Sequence, residues 1–110
     1  MSPFSVKITV QKCIDPTIVF NNNIPIRPGT GKPYTKCPVF KEGQEFIVSV
    51  DGKRPDGFCW WAWKDLQRDI LVLAMGGNFY PGDWIEEGRQ YSCCTDGVRP
   101  VSFKLERLQE

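Results

Sequence analysis

Apolar and polar residues alternate over Val6 to Lys12, VKITVQK, placing Val6, Ile8 and Val10 on one side of a pleat. That period predicts a strand with one buried face. The run from Gln44 to Val50 repeats it between turns at Glu42-Gly43 and Asp51-Gly52, with Phe46, Val48 and Val50 on one face and Ile47 on the other. From Cys59 the period changes. Cys59, Trp63, Leu66, Ile70 and Leu73 recur at alternating spacings of four and three, one stripe of a helix that Gly76-Gly77 would stop. The run ILVLAM within it would also suit a buried strand. Two further strand-like runs, RQYSCC and VRPVSFKLERL, flank TDG and read as a hairpin. Together these elements predict an α+β chain in which a small, mostly antiparallel sheet packs against one helix. The N-terminal strand, the central strand and the C-terminal hairpin supply the sheet.

Between the first two strands lies a stretch with no period. From Cys13 to Pro38 it carries Pro16, Pro25, Pro28, Pro33 and Pro38, the triplet Asn21 to Asn23, and PGTG. It predicts a long loop over 13–38 with a short turn of helix near Thr17 to Phe20. A loop of this length is either a surface insertion or a functional lid.

The hairpin leaves its register to be decided. If Asp96-Gly97 is a two-residue turn, Cys94 lies opposite Arg99; if Gly97 is the left-handed residue of a three-residue loop, Cys93 does. Val101, Phe103 and Leu105 share a face, and parity adds Arg99 to it. The three-residue loop sets that face against Tyr91 and Cys93, the two-residue turn against Gln90, Ser92 and Cys94, so binary patterning favours the first. Cys93, Tyr91 and Arg99 are therefore expected inside and Cys94 outside, which would make Cys94→Ser mild. Pro100 lacks a ladder donor and suggests an edge or bulge. A half-buried Arg99 needs an anion, either a structural carboxylate such as Asp96, Asp65 or Asp69, or a ligand.

Composition narrows the chemistry. A chain of 110 residues, 41% hydrophobic, suits one domain over 1–110 with a modest core. Fourteen Lys and Arg against thirteen Asp and Glu give a net charge of +1, a poor field for nucleic acid. No window is long and apolar enough for a membrane span, and MSPFSVKITV is no signal peptide, so a cytoplasmic location is expected. Five cysteines without Cys-x-x-Cys spacing favour free thiols over a disulfide framework. The absence of histidine removes the commonest general base, the Ser-His and Cys-His pairs and His-containing zinc sites.

What remains suits a cofactor-independent enzyme of the isomerase, cyclase or lyase type, acting on a small molecule in a pocket between helix and hairpin. Cys93 or Cys59 would be nucleophile or acid/base, Arg99 would hold an oxygen anion, and Tyr91 or Asp96 would carry a proton. Trp60, Trp61, Trp63, Phe79, Tyr80 and Trp84 would wall the pocket or simply form the core. One alternative is a zinc or iron–sulfur site on Cys37, Cys59, Cys93 and Cys94, although adjacent strand residues such as Cys93 and Cys94 face opposite ways. Another is a non-catalytic binding module that assembles as a homo-oligomer through an edge strand and an exposed aromatic loop.

Three blocks, CPVFKEGQEF, PDGFCWWAW and CCTDGVRPVSFKLER, in this order and spacing resemble a family of small bacterial and archaeal proteins of about this length. The resemblance covers Val6 to Lys12 and most of Cys37 to Arg107. The positions it implies as motif are Cys37, Gly43, Phe46, Cys59, Ala62, Trp63, Cys93, Cys94, Asp96, Gly97, Arg99 and Pro100; Cys13 is outside it. It implies no reaction, and it makes the stretch from Pro16 to Thr35 longer than is usual there.

Overall fold

The computed structural model describes residues 2–79 and 83–109. Strand β1 (Val6–Cys13) runs through the middle of a four-stranded antiparallel sheet. Its alternation sends Val6, Ile8 and Val10 inward, each at most 1% exposed. Between Val10 and Lys12 the register shifts at a bulge, because Gln11 has no partner on the neighbouring strand. The extra residue reverses the phase, so that Cys13 returns to the inner face and is buried.

Helix α1 (Pro16–Phe20) follows, then the short hairpin β2 (Ile26–Arg27) and β3 (Lys32–Pro33). The helical turn expected near Thr17 to Phe20 is thus present, and the long loop over 13–38 holds in addition a small hairpin that its prolines do not suggest. Asp15 caps α1 by accepting the Thr17 N–H at 2.9 Å, and Pro16 occupies the first turn, where no N–H is needed. Ile18, Val19 and Ile26 stay exposed. This segment folds on itself more than it covers the sheet.

Strand β4 (Glu45–Val48) is shorter than the alternating run that predicts it, but its faces are as read: Val48 is buried and Ile47 is half exposed. It pairs with the free edge of β1, Ile8 opposite Phe46 and Val6 opposite Val48. Helix α2 (Trp60–Ala74) buries Trp63, Leu66, Ile70 and Leu73 of the predicted stripe, together with Ala62, Asp69 and Ala74. Cys59 is its N-cap residue and makes no side-chain capping bond. Gly76, at φ +91°, lets the chain leave the helix in the left-handed region. Arg107 closes that end, donating from Nη1 to the Leu73 carbonyl at 3.3 Å and the Gly77 carbonyl at 2.7 Å.

The last two strands are β5 (Arg89–Cys93) and β6 (Val101–Arg107), and the sheet order is β4-β1-β6-β5. Val101, Phe103 and Leu105 are fully buried under α2. Where the helix does not reach, aromatic rings brought in by loops fill the inner face. Phe40 stands edge-on to Phe103 at 5.2 Å, and Phe58 stands edge-on to Phe46 at 4.9 Å. Full burial of one such ring is worth about 1.5–3 kcal/mol, so these loop residues belong to the core as much as the helix does. The outer face is charged: Glu106 gathers Lys7, Arg89 and Lys104 within 3.8 Å.

Here the hairpin corrects the expected register. Ser92 pairs with Phe103 and Cys93 with Ser102. Cys94 continues the ladder, donating its N–H to the Val101 carbonyl at 3.0 Å. The connection is therefore residues 95–100, longer than either turn considered, and Gly97 is not left-handed. Cys94 lies inside at 7% exposure, whereas Cys93 and Tyr91 lie on the outer face. Two causes defeat the parity argument. Arg99 precedes the strand rather than belonging to it, and Pro100, with no N–H, lets pairing begin only at Val101. Strand β5 is also a sheet edge, where Gln90 and Ser92 tolerate a half-buried inward position.

Candidate functional site

The residues that sequence chemistry singles out do not converge. Cys93 and Tyr91 lie on the exposed outer face of β5. Cys59 starts α2 with its side chain packed against the core. Asp96 and Arg99 sit together in the 95–100 connection. There the Asp96 Oδ1 accepts the backbone N–H groups of Val98 at 2.9 Å and Arg99 at 3.1 Å, and its Oδ2 lies 3.6 Å from the Arg99 Nε. This is the structural partner foreseen for a half-buried guanidinium. The Arg99 guanidinium also stands over the Tyr34 ring at 5.5 Å, tying the connection to the Pro/Asn-rich segment. The other two carboxylates considered for Arg99 are engaged elsewhere: Asp65 accepts the Thr95 N–H at 2.7 Å, and Asp69 pairs with Arg68 at 3.4 Å.

The space between helix and hairpin is filled rather than hollow. Trp63 is 6% exposed and edge-on to Phe58, and Phe79 packs against the same core. The expected pocket wall thus divides. Trp63 belongs to the interior, Phe79 packs partly buried against it, Trp60, Trp61 and Trp84 are exposed, and Tyr80 lies outside the described residues.

A concave surface does exist, on the outward side of the start of α2. Trp60, Trp61, Trp63, Lys64 and Gln67 line an open groove of ≈ 580 Å³. Trp60 is 69% and Trp61 59% exposed. The Arg54 guanidinium lies 4.0 Å from the centre of the Trp60 ring and is anchored to the Pro55 and Phe58 carbonyls. Trp61 is held by donating its indole N–H to the Thr95 hydroxyl at 2.9 Å, while that hydroxyl donates to Asp65 at 3.0 Å. Trp61 is thus tethered through its indole N–H, and Trp60 carries the Arg54 guanidinium over one face, while both rings remain largely exposed. Lys64 makes no ion pair with another described residue. Composition alone offers these tryptophans as either pocket wall or core. The stripe spacing does separate Trp63 from Trp60 and Trp61, but the Thr95 and Asp65 anchors leave no sequence signal.

The thiols regroup in an unexpected way. Burial pushes the Cys13 thiol above its ordinary range, and the neighbouring Cys37 adds to the rise. Burial likewise raises Cys94, partly opposed by backbone N–H groups of Asp96 and Val101 directed at its sulfur. Cys13, Cys37 and Cys94 thus share one region of the inner face, while Cys93 lies across the sheet from them. The four-cysteine set Cys37, Cys59, Cys93 and Cys94 is divided by the sheet itself. Among the described residues, no group of three or more Cys, Asp or Glu side chains is arranged to hold a metal ion. None of the described helices is long and apolar enough to cross a membrane. Comparisons of the chain with protein-family models, with curated proteins and with solved structures find no match.

Proposed function

We propose that this chain is a small-molecule binding protein whose ligand is a planar anion, taken up on the Trp60 and Trp61 faces beside Lys64. One observation carries the reading: two adjacent indoles are tethered by Arg54 and Thr95 yet left exposed, with the Lys64 ammonium, which pairs with no acid among the described residues, one turn from Trp60. Tethered aromatic faces bind flat ligands at low entropic cost, and Lys64, with the Arg54 guanidinium over Trp60, supplies the charge preference. The ≈ 580 Å³ of the groove falls within the span usual for small ligands. None of Cys93, Cys59, Arg99, Asp96 or Tyr91 lines it, so binding without turnover is proposed in place of an isomerase, cyclase or lyase step.

The test is a titration with 2-naphthoate and with its uncharged amide, followed by tryptophan fluorescence and by amide chemical shifts. The carboxylate should bind more tightly than the amide. Trp60→Ala and Trp61→Ala should each weaken it about tenfold, and Lys64→Gln should reduce the preference for charge. Binding unaffected by both tryptophan variants sinks the reading. So does a dimer in sedimentation velocity that either variant dissociates, because a second copy would then own the face.

A further inference from the structure

The inner face at the open end of the sheet carries a row of three neighbours, Cys13, Val101 and Cys94. Cys13 is the cross-strand partner of Val101 on one side. Cys94 bonds Val101 on the other, through its own N–H at 3.0 Å and through its sulfur, which accepts the Val101 N–H at 3.2 Å. The chain returning from the Pro/Asn-rich segment passes over this row. At one end Tyr34 lies under the Arg99 guanidinium. At the other, Phe40 is buried against Phe103, and its carbonyl accepts the Cys13 thiol at 3.4 Å. Cys37 sits three positions from each anchor, packed against the core and still partly exposed.

We propose that Cys13 and Cys37 are a redox pair that closes the base of the 14–36 segment with a disulfide when the protein meets a low-molecular-weight disulfide such as oxidised glutathione. The choice of Cys13 over Cys94 follows from what each sulfur faces. The Cys13 thiol points at the segment that carries Cys37, whereas the Cys94 sulfur is already the acceptor of the Val101 N–H. The electrostatics agree. The neighbouring Cys37 adds to the rise that burial imposes on the Cys13 thiol.

The chemistry balances with the named oxidant. The more accessible Cys37, as thiolate, attacks one sulfur of glutathione disulfide, forming a mixed disulfide and releasing one glutathione thiolate, which takes up the proton Cys37 lost. Cys13 then attacks the Cys37 sulfur and expels the second glutathione, its own proton passing to that leaving group. Two protein thiols are oxidised and one disulfide is reduced to two thiols. The product ties the end of β1 to the far end of the loop, fixing Tyr34 beneath Arg99.

The experiment is exposure of the folded Cys93→Ser protein to oxidised glutathione, read by intact mass and non-reducing peptide mapping. The expected product has lost two hydrogens and carries a Cys13–Cys37 linked peptide. Its thermal midpoint should rise by about 5 °C or more, and proteolysis within 14–36 should slow. Cys37→Ser should abolish the link, while Cys94→Ser should retain it. Because Cys13→Ser could perturb the core, the mapping of the parent protein carries the decision. Stable glutathionylation of Cys37 without an internal link overturns the pair. A Cys37–Cys94 link as the main product does so equally.

Discussion

The Cys94 sulfur accepts the Val101 backbone N–H at 3.2 Å, while the Cys94 N–H reaches the Val101 carbonyl at 3.0 Å. One residue thus closes the hairpin with both its backbone and its side chain. Cys94→Ala would leave the Val101 N–H buried without an acceptor, a cost of about 1–3 kcal/mol. Cys93→Ala, on the exposed outer face, should fall within about 0.5 kcal/mol of the parent. Urea unfolding of the two variants checks the order, which is the reverse of what strand patterning suggests. Equal midpoints would mean that the sulfur contact contributes nothing.

Asp96 should matter more to the hairpin connection than Arg99. Its carboxylate accepts two backbone N–H groups, those of Val98 and Arg99, which neutral alanine would strand. Asp96→Ala should therefore cost about 1–2 kcal/mol. Arg99→Ala, which removes a partly solvated pair and a ring contact, should cost under about 1 kcal/mol. A larger loss for Arg99→Ala would point to a role beyond the connection.

Arg107 closes the C-terminal end of α2 through the Leu73 and Gly77 carbonyls, and it also reaches the Asn78 side chain at 3.2 Å. Its forked guanidinium serves these acceptors together, which a lysine ammonium does not do. Arg107→Lys should lose about 1 kcal/mol and Arg107→Ala about 1–2 kcal/mol. Hydrogen exchange should quicken at the last turn of α2 in both and leave its first turn unchanged.

Stability should fall at both ends of the pH range. Backbone N–H groups of Thr17, Cys13 and Lys53 hold Asp15, Glu42 and Asp51, respectively, below their ordinary values. A carboxylate depressed in the folded state stabilises above its unfolded value, and the gain is lost as pH falls through the folded one. The acid loss therefore begins at the ordinary carboxylate range and ends below it. Burial raises Cys13 and Cys94, so their contribution is full below the ordinary thiol value and is lost as pH climbs through the folded one. Thermal midpoints measured across pH should show both arms. Glu42→Gln should flatten part of the acid arm, and an unchanged acid arm in that variant would remove Glu42 from the account.

Much of the architecture is written in local periods. The alternation of Val6, Ile8 and Val10, the stripe of Trp63, Leu66, Ile70 and Leu73, and the glycines at 76 and 77 specify the central strand, the helix and its end from neighbours alone. They sufficed for an α+β fold with an antiparallel sheet under one helix, because burying a single face is a local constraint that each element meets by itself.

Three things were decided only when the chain closed on itself. Which face of β5 points inward depends on Pro100 and on an Asp96-built connection, and parity counted along the sequence does not survive the break. Which tryptophans stay in solvent depends on where the Phe40 and Phe58 rings fill the sheet's open half and on Thr95 holding Trp61. That Cys13 belongs with Cys37 and Cys94, and not Cys93, depends on one bulge at Gln11 reversing the phase of β1. The sequence determined what the strongly periodic segments are. Only tertiary packing determined which side chains meet, because loops and bulges set phases that no local period records.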